Sequence, residues 1–322
     1  MKKFLKAAAA VCAASVFNAC AFAAEVYVRP CGETVGMKLY TDGLLVVGTT
    51  DGSPAEKSGL RPGDIITSAG GKALDRADDL TAAADASDGA LTITVRRGEK
   101  TCELEAEPEA TDEGRRLGVW VRDSTAGIGT VTYITEDGDR FAALGHGITD
   151  VDTGGLLAVK SGSVVGVSSV SVRKSSRGDI GELSCPFDGE TLGAVEKNSP
   201  YGVYGSVCAD AANVELPPLM RAAGSEEITE GAAQILCDID GTGARGYDIE
   251  IKKVSHAGAA DKSLVIEITD GELIEKTGGI LQGMSGSPIV RGDVFLGAVT
   301  HVFINNPLRG FGITGEAMIY NY

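Results

Sequence analysis

Aromatic residues make up only 5% of this chain, and histidine occurs three times in 322 residues. The sequence also has no cluster of basic residues, no C-x-x-C pair and no long amphipathic helical pattern. Each shortage removes a class. Without a basic footprint, and with a formal net charge of −16, a nucleic-acid-binding surface is excluded. Without paired cysteine motifs, zinc ribbons and thioredoxin-type redox sites are excluded. The lack of helical periodicity argues against a helix bundle, and the 44 glycines point instead to many turns and short strands. What is present is ordinary globular material, 43% hydrophobic and 23% charged, which excludes a mostly disordered chain. The length suits about two domains.

The first two dozen residues stand apart. Lys2, Lys3 and Lys6 precede an Ala-rich apolar run that ends in Ala21-Phe22-Ala23. A basic start, an apolar centre and an A-x-A site read as an export signal over residues 1–23, cleaved after Ala23. The mature chain is therefore expected outside the cytoplasm. No later segment has 18 consecutive apolar residues. Five cysteines remain beyond the signal: Cys31, Cys102, Cys185, Cys208 and Cys237. Five is odd, so at least one thiol is unpaired within a monomer.

From Gly43 to Pro108 the sequence alternates strands and turns. Leu44–Gly48 is a buried-strand run. Ser53 suits an N-cap, Pro54 the first helical position and Gly59 the helix stop. Arg61-Pro62-Gly63-Asp64 is a turn before the strand Ile65–Ala69. Asp75–Ala86 reads as a helix, and Leu91–Arg97 alternates with period two. The pattern S-P-A-x-x-x-G-L-x-P-G-D-I-I, then G-G-K, then T-I-T-V-x-R-G resembles a PDZ domain over residues 31–107. That resemblance implies a peptide bound as an added strand, and puts the groove at Gly36, Met37, Lys38 and Leu39. Residues 108–116 are polar and read as a linker.

Residues 117–322 carry many short strands punctuated by Gly, Asp and Ser, which argues for an all-β barrel or sandwich. Near the end stands Gly283-Met284-Ser285-Gly286-Ser287-Pro288. This G-x-S-G-x-P pattern suits a sharp turn that exposes the Ser285 hydroxyl and aims the amides of Gly283 and Ser285 at one point, where an oxyanion would form. A serine nucleophile needs a base. His146, in the run Phe141–Ile148 with Gly on either side, sits at a strand end and precedes the serine. His301 lies on the strand after the nucleophile turn, where Thr300, His301 and Val302 would line a substrate cleft. Both histidines stay candidates at this stage, with His146 as the base and His301 as cleft wall.

Ala143–Asp150, Gln282–Ile289 and Gly297–Phe303, in this order behind a signal and a PDZ module, resemble the stage IV sporulation protein B serine peptidases. The resemblance implies a mostly β chain, with the PDZ domain followed by a chymotrypsin-like double β-barrel. It implies a triad of His146, Asp270 and Ser285; because Asp270 lies only 15 residues before Ser285, Asp150 and Asp179 stand as alternatives to it. No metal and no organic cofactor is implied. The implied substrate is the extracytoplasmic part of a membrane-anchored protein, and the enzyme's own chain is a second target or PDZ ligand. An HtrA-type protease is a rival, but there the PDZ follows the protease. A PDZ adaptor on a degenerate protease fold is another, although no triad candidate is missing. The position six before the nucleophile is Gly279, which disfavours recognition of Lys or Arg.

Overall fold

The computed structural model describes residues 25–209 and 216–322. The expected signal over residues 1–23 lies outside them. The chain is mostly β-strand, and two closed sheets dominate it.

The first sheet closes as a ring of six antiparallel strands: Thr34–Thr49, Val119–Thr135, Arg140–Ala143, Gly202–Val207, Thr191–Ser199 and Val159–Val165. Alternate residues point inward, so Val35, Met37 and Leu39 meet Val131, Phe141, Val164, Val195 and Val203 inside. The second ring also has six: Gly231–Cys237, Arg245–Val254, Leu264–Ile268, Asn306–Thr314, Val294–Phe303 and Pro288–Arg291. Ile235, Ile249, Ile251, Leu264, Ile266 and Ile289 fill it, all essentially inaccessible to solvent. Each such side chain contributes on the order of 2 kcal/mol of burial. Between the rings Tyr133, Tyr204, Phe295, Ile313 and Met318 form a separate apolar layer. The strand Met220–Ala222 pairs with Tyr27–Pro30 beside the first ring and with Val294–Phe303 of the second, stitching the two together.

The PDZ-like module is inserted into the first ring. Strand Thr34–Thr49 runs out of the ring, and Val119–Thr135 returns to it. The two pair both within the ring (Tyr40 opposite Ser124) and within the module (Leu45 opposite Arg122). The module has its own core of Leu44, Val46, Leu60, Ile66, Leu80, Ile93 and Val95. Ser53 caps the helix Pro54–Ser58 by accepting from the Glu56 amide, and Gly59 ends it in the left-handed region. Asp64 of the turn is buried and takes both arms of the Arg97 guanidinium, at 2.6 and 2.7 Å.

Three expectations change here. The module does not begin at residue 31, because residues 27–41 pair into the first ring. Residues 108–116 are not an unstructured linker, since Glu109–Thr111 and Gly114–Arg116 form a hairpin. Gly36, Met37, Lys38 and Leu39 are not an open groove edge. They are bonded to Thr125–Ile128 on one side and Gly162–Val165 on the other, leaving no edge for a peptide. Local pattern marked this strand correctly, but its partners lie about 90 and 125 residues away in sequence. Cys31 and Cys237 are buried, and burial pushes both thiols up, so they act as small hydrophobes.

Candidate active site

Ser285 sits on a tight turn before the strand Pro288–Arg291. Gly283 and Gly286 both have φ of 98°, a backbone region closed to most side chains. At Gly286 a Cβ would lie 2.2 Å from the Thr130 carbonyl oxygen and 2.6 Å from the Leu144 amide. The two barrels therefore touch backbone to backbone here, and the Thr130 amide donates to the Ser285 carbonyl at 3.0 Å. That contact brings the serine turn beside the segment that carries His146. The amides of Gly283 and Ser285 donate to no acceptor among the described residues, and so remain available to a ligand. The Ser285 hydroxyl donates to the Thr300 carbonyl at 2.6 Å.

His146 follows the strand Arg140–Ala143 after a sharp bend, in which Leu144 and Gly145 both have φ of 69°. A leucine in this region costs roughly 1–2 kcal/mol, which the close packing of the bend against Gly286 has to offset. Nδ1 of His146 lies 2.9 Å from the Gly147 carbonyl oxygen. A carbonyl only accepts, so Nδ1 carries the proton and Nε2 is the basic nitrogen. Burial holds the His146 pKa below the usual imidazole value. The Gly147 carbonyl works against this, the neighbouring His301 adds to it, and the charge of Asp261 opposes it.

The His301 ring lies against that of His146, with centroids 4.6 Å apart and planes tilted by 31°. His301 Nε2 is 2.9 Å from Asp261 Oδ2. Asp261 belongs to the 3-10 turn Ala260–Lys262, fixed by the Thr300 hydroxyl donating to its carbonyl at 2.5 Å. Ser285, His146, His301, Asp261, Thr300 and Val302 line one cavity of about 910 Å³ between the barrels. Met37, Leu39 and Thr125–Ile128 form its wall on the side of the first ring.

Asp270 is not among these residues. Its carboxylate caps the helix Gly271–Thr277, accepting from the Leu273 amide at 2.8 Å, with the Asp248 amide at 3.4 Å. The structure therefore gives Asp270 a capping job and, among the described residues, no bond to an imidazole. Asp150 is buried under the segment after His146 and faces Arg122. Asp179 is exposed and pairs with Arg173. The acid beside the histidines is Asp261, which sequence reasoning missed. It stands 40 residues from His301 in an unpatterned polar stretch, so nothing local marks it.

A family model described as SpoIVB peptidase S55 matches residues 113–319, about two thirds of the chain. The chain belongs to the SpoIVB peptidase family. That family is one of serine peptidases, and a PDZ domain is matched over residues 46–97. The family match starts inside the hairpin and so leaves out the strand Thr34–Thr49, which completes the first barrel, and Tyr27–Pro30 beside it. "Serine protease HTRA2, mitochondrial" of Bos taurus is 36% identical over 70 residues, 22% of this chain. "Serine protease HTRA1" of Xenopus tropicalis is 33% identical over 69 residues, 21% of this chain. The chain spans only 15% of the length of either relative. A PDZ domain of an SdrC-like protein from Listeria monocytogenes is 21% identical, with a TM-score of 0.23; the match covers 25% of this chain and 87% of that one.

Proposed function

We propose that this peptidase is an extracytoplasmic endopeptidase that cuts a protein substrate of a signalling circuit, and its own chain, with Ser285 as nucleophile and His146 as base. The observation that carries the reading is the pair of unengaged amides at Gly283 and Ser285, on a turn packed against the His146 segment. His146 Nε2 takes the Ser285 proton once the hydroxyl leaves the Thr300 carbonyl. The Gly147 carbonyl orients the ring, and Asp261, bonded to the neighbouring His301, offsets its developing charge. The two amides hold the oxyanion, and the His146 proton then goes to the leaving amine.

A substrate backbone would pair with Thr300–Val302, and the apolar cleft residues Ile280, Leu281 and Val302 suit an uncharged side chain before the scissile bond. The order of signal, PDZ and peptidase supports a membrane-anchored substrate met outside the cytoplasm, as in sporulation signalling. A fluorophosphonate tests the core of this reading. It should label Ser285 in the full chain and leave Ser285→Ala unlabelled. Absence of labelling in a folded wild-type chain would remove the serine-peptidase mechanism. N-terminal sequencing of the exported chain should begin at Ala24.

A further inference from the structure

The strand Val119–Thr135 belongs to the PDZ module at its start and to the catalytic cleft further on. From Val119 to Ile128 it pairs only with Thr34–Thr49, and its other edge carries no strand among the described residues. At its start that edge faces the helix Ala77–Asp85, which lies alongside. The Arg115 amide donates to Asp85 at one end of the helix (2.6 Å), and the Ala77 amide donates to Asp123 at the other (3.0 Å). The helix and strand therefore run antiparallel. Val119 and Val121 pack against the module core to which Leu80 and Ala84 of the helix belong. Just before the strand, the amides of Leu117 and Gly118 donate to no acceptor among the described residues, although both carbonyls are engaged by Ala55 and Thr50. At the far end Thr125–Ile128 line the catalytic cavity, and Ile128 lies against Gly283.

We propose that this edge is one continuous track, and that its occupant is the extended C-terminal segment of a polypeptide substrate, held by its terminal carboxylate at Leu117 and Gly118 and cut where the track meets Ser285. The inference rests on the serine-peptidase reading above and adds a substrate class to it. Direction follows from geometry. A chain whose C-terminus sits at the start of Val119–Thr135 must lie antiparallel to that strand, so its N-terminal direction leads into the cleft. Antiparallel pairing places one substrate residue opposite each strand residue, about 3.4 Å apart. From Gly118 to Ile128 the scissile bond then falls about ten to twelve residues before the C-terminus. The segment released is the one lying on the track. An entering chain displaces Asp123 from the Ala77 amide and from the Arg76 guanidinium 3.5 Å away, the contacts that span the seam at the cleft side.

Trp120 is the only tryptophan and is 65% exposed on this strand, so its emission reports occupancy. The test uses random 20-residue peptides as free acids and the same pool as C-terminal amides. With full-length Ser285→Ala, the free-acid pool should shift Trp120 emission at concentrations at least tenfold below the amide pool. With wild type, mass spectrometry should find cuts of the free acids clustered ten to twelve residues from the C-terminus, and amidation should cut the rate at least tenfold. Equal binding of acids and amides, cuts at positions unrelated to the C-terminus, or no cleavage of either pool would overturn the track. Fluorophosphonate labelling of Ser285 in the same preparation separates that result from failure of the peptidase reading itself.

Discussion

The guanidinium of Arg122 lies 2.9 Å from the fully buried carboxylate of Asp150. Arg122 is on the strand shared by the PDZ module and the first barrel, and Asp150 anchors the segment after His146 by accepting from the Asp152 and Thr153 amides through its other oxygen. The Arg122 contact is a charge pair rather than an aligned hydrogen bond. Arg122→Leu leaves the carboxylate buried and uncompensated. Denaturant unfolding should show a loss of about 2 kcal/mol, below the range for a fully enclosed pair because Arg122 is 30% exposed. Asp150→Asn in the same background should recover part of that loss.

Ser285→Ala should abolish peptide-bond cleavage and self-cleavage, a loss on the order of 10⁶ in rate, without unfolding the chain. Ser287, two residues on, is completely buried and its hydroxyl has no partner among the described residues. Ser287→Ala should therefore cleave like wild type and match or slightly exceed its stability. Inactivity of the Ser287 variant would mean that the nucleophile is misassigned.

Asp261 and Asp270 separate by experiment. Asp261→Asn removes the charge beside the histidines and should lower kcat/KM on the order of 10² or more. Asp261 raises the His146 pKa, so its loss should move the acidic limb of the pH–rate profile further down. Asp270→Ala should cost about 1 kcal/mol through its lost helix cap, while Asp270→Asn, which can still cap, should stay near wild type in both stability and kcat/KM. A dead Asp270→Asn with an unchanged fold would return Asp270 to the triad.

The pH dependence of wild type has a definite sign. Burial disfavours the charged form of His146, so its folded pKa lies below the unfolded value of about 6.5. The base stays neutral into mildly acidic solution, and kcat/KM should fall only below the usual imidazole range. By linkage, the same shift makes the folded state lose stability as pH drops below the unfolded value, because the unfolded chain binds the proton more readily. Paired rate and unfolding measurements between pH 4 and 8 check both limbs.

Because the module is an insertion, the two ways of removing it should differ. A chain starting at Glu113 lacks the strands Tyr27–Pro30 and Thr34–Thr41, leaving the first ring open, and should fail to fold. Replacing Gly43–Val121 with a short glycine-rich turn keeps Tyr40 opposite Ser124 and should give a folded chain that reacts with a fluorophosphonate. Circular dichroism and labelling of the two proteins decide this.

Much of the local structure could be read from residues alone. Ser53 and Gly59 bound a helix because a hydroxyl can accept from a free amide and glycine can take positive φ. Gly283-Met284-Ser285-Gly286 announced a tight turn for the same kind of reason, and the alternation in Leu91–Arg97 marked a strand half-buried in a sheet. These signals act over a few residues, so sequence carries them directly. The insertion of the PDZ module, the enclosure of Gly36–Leu39 between two strands, and the meeting of Asp261 with His301 have no such local cause. Each depends on which segments 40 to 125 residues apart close a barrel and bury its apolar face. That choice is made by the packing of the whole sheet, whereas the Asp270 carboxylate has a helix amide three residues away and serves as a local cap.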